Sequence, residues 1–194
     1  MTENDFLADV VSKCLDNEID IKLFNKRSHM GCGGWFVDTE LVACIKRPDR
    51  LEILAHEAAH MDQFLENDPL WLHPYINDVD MWDAEYAKKH PKKHMWAVKK
   101  TAELEIDCDI RVVDKIKRYN LDIDLPSYIK AANCYHAAYY YFHKYKAFYK
   151  VKKEPYNVPA ICDTFPDDRI LSLKEVWKPH KLLGEHLKIH NKPF

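Results

Sequence analysis

The chain has 194 residues, 47 % of them hydrophobic, and its 29 basic and 31 acidic side chains give a net charge of -2. This length allows a sizeable core, and the near balance of charge excludes a general electrostatic attraction to nucleic acid or to an anionic membrane. The first 20 residues lack the basic and apolar regions of a signal peptide, and no later apolar run approaches the ~20 residues of a membrane span. We therefore expect a cytoplasmic protein with a single domain, its core over about 20–150 and a C-terminal extension over 151–194.

The six cysteines are spread along the chain without any Cys-x-x-Cys pair. That spacing argues against a structural zinc knuckle and against a compact disulfide framework. We predict reduced thiols that are mostly buried, with a disulfide only if the protein is exported.

The N-terminal part changes from a helical to an alternating hydrophobic pattern. Apolar positions close to a 3.6-residue period predict a helix over 4–17. Alternation then predicts a strand over 20–25, and "GWFVDTELVACIK" (34–46) is typical of two strands joined by a turn at Asp38 and Thr39. Three glycines precede this hairpin and predict a positive φ or close packing there: Gly31, Gly33 and Gly34.

The rest of the chain is mainly helical. Residues 67–92 have weak periodicity and predict a long connection with at most one short helix, and the tail is punctuated by prolines. The fold class expected is α+β, with a small antiparallel sheet or hairpin, a helical zincin-like core and a Pro-rich C-terminal tail that wraps the domain. Helices are predicted over 50–66, 95–119, 126–150 and 180–188.

The segment "LEILAHEAAHMDQFLEN" (51–67) carries His56, Glu57 and His60 in the order His-Glu-x-x-His. Residues four apart share one helical face, so both imidazoles can bind one ion while Glu57 reaches a water on that ion. A catalytic Zn²⁺ takes three protein ligands and a water whose pKa falls to about 7, and Glu57 is then the general base and later the acid. The flanking residues are apolar, so we expect a buried helix in which a metal offsets the desolvation of the polar groups.

The third ligand must come from elsewhere, because the glycine and third histidine of metzincins are absent from the positions after His60. Gluzincins use a Glu-x-x-x-Asp pair on a second helix, and 97–116 offers Glu103 with Asp107 and Glu105 with Asp109. At about 100° per residue, the second pair falls on the apolar face and the first among charged residues. We predict Glu105 as the ligand and Asp109 as its neighbour that orients a histidine, with Glu103 as the fallback. An alternative is a core helix whose Glu105–Asp109 couple is paired with Arg111.

Four segments in this order resemble a family of small His-Glu-x-x-His zinc metallopeptidases of tailed phages with a gluzincin-like layout. The resemblance covers most of 30–150 and implies zinc peptidase activity in the host cytoplasm, although the family's substrates are mostly unassigned. The chain is also distantly similar to short cytosolic peptidases that cleave repressors. The segments are "CGGWFVDTELVACIKRP", "LAHEAAHMDQF", "ELEIDCDIRVV" and "LDIDLPSYIKAANCYHAAYYYF", and the matched motif residues are His56, Glu57, His60, Gln63, Glu105, Asp107 and Cys108. Gln63 receives no role.

Two further site features are predicted. An oxyanion stabiliser is expected near the metal, and Tyr135 in the helix over 126–150 is the candidate, although most tyrosines of this helix fit core positions. The strand over 41–46 is a candidate edge for an extended peptide substrate. No histidine pair outside His56 and His60 is predicted to bind metal. The histidines considered are His73, His90, His94, His143, His186 and His190.

The function predicted is a zinc-dependent metallopeptidase that acts on a peptide or protein, with no nucleic-acid or membrane partner. The alternative is a catalytically weak or inactive metal-stabilised binding or anti-defence protein. Tryptophans of a type common at interfaces favour the alternative weakly: Trp71, Trp82, Trp96 and Trp177.

Overall fold

A computed structural model of the chain describes residues 1–29, 32–72, 84–150 and 152–193. These residues form a mixed α+β fold, which confirms the predicted class. Of the residues singled out in the sequence, Gly31, His73 and Trp82 lie outside the described ranges. The elements, in chain order, are α1 (Glu3–Asp16), β1 (Asp20–Phe24), β2 (Gly34–Val37), β3 (Glu40–Cys44), α2 (Arg50–Leu65), α3 (Ala84–Lys89), α4 (Pro91–Tyr119), α5 (Leu125–Tyr145), β4 (Ala147–Tyr149), a 3-10 helix (Pro155–Asn157), α6 (Pro159–Cys162), α7 (Leu173–Val176), α8 (Lys181–His190) and β5 (Asn191–Pro193).

The contacts between Cα atoms divide the chain into two compact units. The first unit contains Met1–Asp68 and Cys108–Asp124, and the second contains Pro69–Asp107 and Leu125–Phe194. The division therefore falls inside helix α4. The single domain expected from the sequence stays a prediction. Among the described residues, no helix has the length and apolar character needed to cross a membrane.

The sheet of the first unit has three strands in the order β1-β3-β2. Strand β2 pairs with β3 in antiparallel fashion, as the predicted hairpin requires, and β1 pairs with β3 in parallel. Strand β3 is therefore central, and Leu41 lies opposite both Ile21 and Phe36. The prediction that 41–46 forms a free edge is wrong, because the backbone groups of β3 are used on both sides. Its apolar residues are buried as a central strand requires.

Helix α1 supplies the core of the first unit with residues spaced at one helical turn. A capping box between Thr2 and Asp5 starts the helix. Phe6 and Cys14 are fully buried, and Cys14 Sγ lies 3.4 Å from Met61 Sδ on α2. The helix predicted over 4–17 is confirmed, and its inner face follows the predicted hydrophobic period. All six cysteines are free thiols, and five of them are buried.

Close packing between the hairpin and α2 depends on two glycines. A Cβ atom at Gly33 would lie 2.6 Å from Ile53 Cδ1, and one at Gly34 would lie 2.6 Å from the Val42 carbonyl oxygen. Neither distance is tolerable for real side chains, and at Gly34 the obstacle is backbone that cannot rotate away. These glycines therefore allow strand β2 to lie against α2, which is the close packing expected from the sequence.

Ion pairs hold the C-terminal half of α2 in the first unit. The carboxylate of Asp62 accepts hydrogen bonds from Lys13 on α1, at 2.9 Å, and from Lys115 on α4. Arg111 on α4 donates to Glu66 at 2.6 Å and to Asp68 at 3.0 Å, just beyond the end of α2. These contacts connect α2 with both neighbouring helices and fix its position for the side chains one turn earlier.

In the second unit, α5 is shorter than the helix predicted over 126–150. It ends at Tyr145 because Lys146 has a φ of 51° and its N–H bonds to the Phe142 carbonyl oxygen at 2.9 Å. This left-handed residue is a common helix C-cap geometry, and strand β4 follows it directly. The sequence offered no glycine there that would have indicated the end.

The Pro-rich tail packs on α5 through one buried amide. Asn133 is fully buried, and its Nδ2 donates to the carbonyl oxygens of Pro166 at 3.2 Å and Arg169 at 3.0 Å. Its Oδ1 accepts from the Leu171 N–H at 2.8 Å. A buried amide is stable only when it is hydrogen-bonded in this way, so Asn133 positions the irregular chain before α7.

Candidate metal centre

Helix α2 presents two histidines to one side, as the His-Glu-x-x-His spacing predicts. The ring centroids of His56 and His60 lie 4.8 Å apart, and the ring planes are nearly perpendicular at 89°. His60 is buried and His56 is half-buried. Two imidazoles at this separation, one helical turn apart, are the pair that a single ion can bridge.

Each of the two rings is oriented by an oxygen acceptor at Nδ1. His56 Nδ1 lies 3.1 Å from Asp109 Oδ1, and His60 Nδ1 lies 2.8 Å from Gln63 Oε1. A carboxylate oxygen and an amide oxygen accept hydrogen bonds, so both rings donate from Nδ1 and carry their lone pair on Nε2. This arrangement is typical of metal-binding histidines, whose second nitrogen donates to a carboxylate or carbonyl group.

Asp109 reaches His56 from the last part of α4, which belongs to the first unit. The aspartate is 3 % exposed, so its carboxylate lies in the apolar face where the helical period places it. The contact between a buried carboxylate and His56 is the geometry that the predicted orienting role of Asp109 requires. Burial of the charge also demands a donor, and the imidazole N–H is one.

Gln63 is the site residue that sequence reasoning missed. It is fully buried and bonds to His60 three residues earlier on the same helix. The sequence did contain a signal for this contact. Gln63 lies three residues after His60 and so on the same helical face, and a fully buried amide needs a hydrogen-bond partner. An uncharged glutamine among apolar residues was interpretable only once its partner was known.

Cys108 is a second residue that was not predicted to lie at the histidine pair. Its Sγ is 3.6 Å from His56 Nδ1 and donates to the His56 carbonyl oxygen at 3.4 Å. Among the described residues, His56, His60 and Cys108 form the one group of three whose possible ligand atoms all lie within 4.8 Å of each other. The thiol lies close to the Nδ1 atom of His56 that Asp109 also contacts, so it approaches the ring from the edge opposite Nε2.

Glu57 follows His56 directly and is 9 % exposed. A Cβ atom at Gly34 would lie 3.2 Å from Glu57 Cγ, so the stem of the glutamate passes beside strand β2. The missing side chain at Gly34 leaves the room that this stem occupies. The role of Glu57 as general base stays a prediction.

Three other predicted residues belong to the second unit. Glu105 precedes Asp109 by one turn in α4, Glu103 forms an ion pair with Lys100, and the Tyr135 hydroxyl lies 2.8 Å from the Tyr139 hydroxyl. The ion pair of Glu103 agrees with its predicted place on the charged face of α4. The roles of Glu105 as ligand and of Tyr135 as oxyanion stabiliser stay predictions.

Comparisons of the chain with protein-family models, with curated proteins and with solved structures give no match.

Proposed function

We propose that the protein is a zinc-dependent metallopeptidase of gluzincin-like layout. One observation carries the proposal: two histidines one turn apart on α2 both donate from Nδ1 to an oxygen of Asp109 or Gln63. Both Nε2 lone pairs then belong to one helix face, and Glu57 lies one residue further round the same helix. An ordinary core histidine needs one partner, whereas two histidines with oriented rings and matched tautomers form a preorganised pair of nitrogen ligands.

The donor set suits zinc. Neutral imidazole is a borderline ligand that zinc prefers, and the hydrogen bond from His56 to the Asp109 carboxylate raises the basicity of the ring. Glu105, four residues before Asp109 in α4, is the proposed third protein ligand. When bound, the ion would polarise a substrate carbonyl and lower the pKa of water to about 7.

Glu57 has the proposed role of proton carrier. Its carboxylate would accept the proton of the attacking water and return it to the leaving amine of the cleaved peptide bond. Glu57 is 9 % exposed, so bulk water has little access to the carboxylate that would hold the proton. Tyr135 is the proposed hydroxyl donor to the developing oxyanion.

The proposed substrate is an extended peptide segment that lies beside strand β2. Within the described ranges, β2 is bonded to another strand along one side, through β3. Because Gly34 lies close to Glu57, a peptide backbone that adds to β2 would lie next to the proposed base. Strand addition supplies affinity through main-chain hydrogen bonds and leaves selectivity to the side-chain pockets.

Metal analysis and a Glu57→Gln variant test the proposal together. Purified wild-type protein should hold zinc in stoichiometric amount and should cleave members of a proteome-derived peptide library, read out by mass spectrometry of new termini. Glu57→Gln should keep the zinc and lose about 10²- to 10⁴-fold in rate, because general acid–base catalysis contributes that much. Glu52→Gln on the same helix is the matched control and should keep the wild-type rate.

Two results would refute the peptidase assignment. One is protein that is folded but binds no zinc in dialysis against a zinc buffer. The other is a library that stays uncut by the wild type, or is cut equally by Glu57→Gln. Stoichiometric zinc without cleavage would instead favour the metal-stabilised binding or anti-defence protein.

A further inference from the structure

Two histidines that are 49 residues apart in sequence meet in the second unit. His94 lies in the first turn of α4, and His143 lies in the last turn of α5. Their rings are nearly parallel, with centroids 5.3 Å apart and planes inclined by 28°. His94 is 1 % exposed and its ring also packs on Phe142, while His143 is half-buried.

The ring nitrogens of the two histidines point at each other. His94 Nδ1 lies 3.1 Å from His143 Nδ1, and Lys146 Nζ lies 3.3 Å from the first and 3.2 Å from the second. Three nitrogens therefore form a nearly equilateral triangle. Lys146 is the left-handed residue that ends α5, so the helix cap itself brings this amine to the two rings.

Lys146 Nζ also donates a hydrogen bond to the His143 carbonyl oxygen at 2.5 Å, so one ammonium proton is directed away from the two rings. The three distances fix the angle between the two Nδ1 atoms, measured at Lys146 Nζ, at about 57°, whereas an ammonium directs its protons about 109° apart. A proton shared between the two rings leaves one lone pair facing two donors, because a neutral imidazole has one acceptor nitrogen. The ammonium therefore cannot donate straight hydrogen bonds to both Nδ1 atoms at once.

A small cation fits the same two nitrogens better. An ion about 2.0–2.1 Å from each Nδ1, the usual zinc–imidazole distance, would have the two nitrogens about 100° apart when they lie 3.1 Å from each other. That angle is close to the tetrahedral value and is within the range that four- to six-coordinate divalent ions accept.

The electrostatic surroundings permit binding but weaken it. Burial, followed by the charges of Lys146 and Lys99, lowers the pKa of His143 to about 4. The ring is therefore neutral and able to act as a ligand at neutral pH. Burial also lowers the pKa of Lys146, although its ammonium still competes with a dication for the same lone pairs.

We propose that His94 and His143 form a second metal site, in which both Nδ1 atoms bind one borderline divalent cation such as Zn²⁺. Water completes the coordination, and Lys146 moves aside when the ion binds. The proposal is independent of the centre on α2, since none of its residues is shared with that centre.

Zinc stoichiometry by equilibrium dialysis at pH 7.5, followed by elemental analysis, tests the second site. His143→Gln should bind one zinc fewer than the wild type; because the α2 centre is unchanged in the variant, this difference is separable from the zinc content of that centre. A wild type that binds no zinc would overturn the proposal. The matched control is His190→Gln, because His186 and His190 are half-buried neighbours on α8, with ring centroids 4.7 Å apart. This control should bind as much zinc as the wild type.

Two further measurements distinguish loss of the metal site from misfolding of the variant. Zinc should raise the melting temperature of the wild type more than that of His143→Gln, because a ligand that binds only the folded state stabilises it. Lys146→Met should bind zinc at pH 7.5 at least as tightly as the wild type, and about tenfold more tightly if its ammonium is the main competitor. Equal stoichiometry in His143→Gln and the wild type, or loss of the ion in Lys146→Met, would overturn the proposal.

Discussion

Two histidine pairs of this protein differ in what surrounds their Nδ1 atoms. In the pair on α2, His56 and His60 each donate from Nδ1 to an oxygen. In the pair formed by α4 and α5, the Nδ1 atoms of His94 and His143 approach each other and a lysine. The first pair arises from one helical turn of sequence and the second from tertiary packing.

The difference teaches what prepares a histidine pair for a cation. Oxygen acceptors fix the tautomer, orient the ring and add negative charge, so the α2 pair should bind a divalent ion tightly. Lysine ammonium groups add positive charge, which opposes a dication and lowers the affinity of the second pair. We therefore expect that two imidazoles must lie close together to bind one metal ion, and that the groups in contact with their Nδ1 atoms set the affinity.

Removal of Glu105, the proposed third ligand, should have the largest effect on zinc affinity. Glu105→Gln should weaken zinc binding at the α2 pair by more than about 100-fold, which exceeds the usual effect of outer-shell changes. Cys108→Ser, three residues later in α4, is the matched control and should change the affinity by less than about threefold, because the thiol is directed to the His56 carbonyl oxygen. Competition with a chromophoric zinc chelator gives both affinities.

The reverse ranking would mean that the thiolate of Cys108 completes the site. Zinc would then be held by two histidines and a cysteine, as the group of mutually close ligand atoms allows. In that case Glu105 would lose its proposed role, and the glutamate ligand that defines a gluzincin would be absent.

Much of the first unit was predictable because its signals are local. The hairpin, α1 and α2 follow hydrophobic periods and turn residues, and the spacing of His56 and His60 lies within one helix. The embedded position of Asp109 was also predictable, since the helical period separates it from Asp107 on the charged face of α4. Each of these predictions required only the sequence of a single helix or hairpin.

The missed features depend on contacts between distant residues. Strand β1 pairs in parallel with β3, and no local pattern states which strand of a hairpin a third strand joins. The end of α5 depends on a left-handed lysine, Lys146, where glycine would be the usual signal. The meeting of His94 and His143 likewise follows from how α4 and α5 pack, which the sequence spacing does not encode.

Loss of the Asp109 carboxylate, which contacts His56 Nδ1, should have an intermediate effect on zinc affinity. Asp109→Asn keeps the size and an oxygen acceptor but removes the charge, so zinc affinity at the α2 pair should fall by about 10- to 100-fold. The amide behind His60 allows a matched comparison, because Gln63→Met removes the acceptor without changing any charge. An affinity that is unchanged in Asp109→Asn would show that orientation of the ring, rather than negative charge, distinguishes the two histidine pairs.

The smallest expected effect is on stability, and it concerns Glu52 in α2, whose surroundings are acidic. Burial raises the pKa of the Glu52 carboxyl, and the carboxylates of Asp49 and Asp124 raise it further. A carboxyl whose pKa is raised in the folded state contributes its full stability below the ordinary carboxyl pKa and loses it as the pH rises through the folded value. At pH 7 the ionised Glu52 therefore destabilises the fold, and Glu52→Gln should raise the melting temperature by about 1–2 °C.

The gain from Glu52→Gln should disappear near pH 4, where the wild-type carboxyl is protonated in both the folded and the unfolded state. Melting curves by circular dichroism between pH 4 and pH 8 measure this dependence. Glu175→Gln in the second unit is the opposite control, because hydrogen bonds from Arg169 and Ser172 lower the pKa of that carboxyl. Its removal should destabilise the protein at pH 7, so a gain in melting temperature for both variants would contradict the opposite effects of the groups around Glu52 and Glu175.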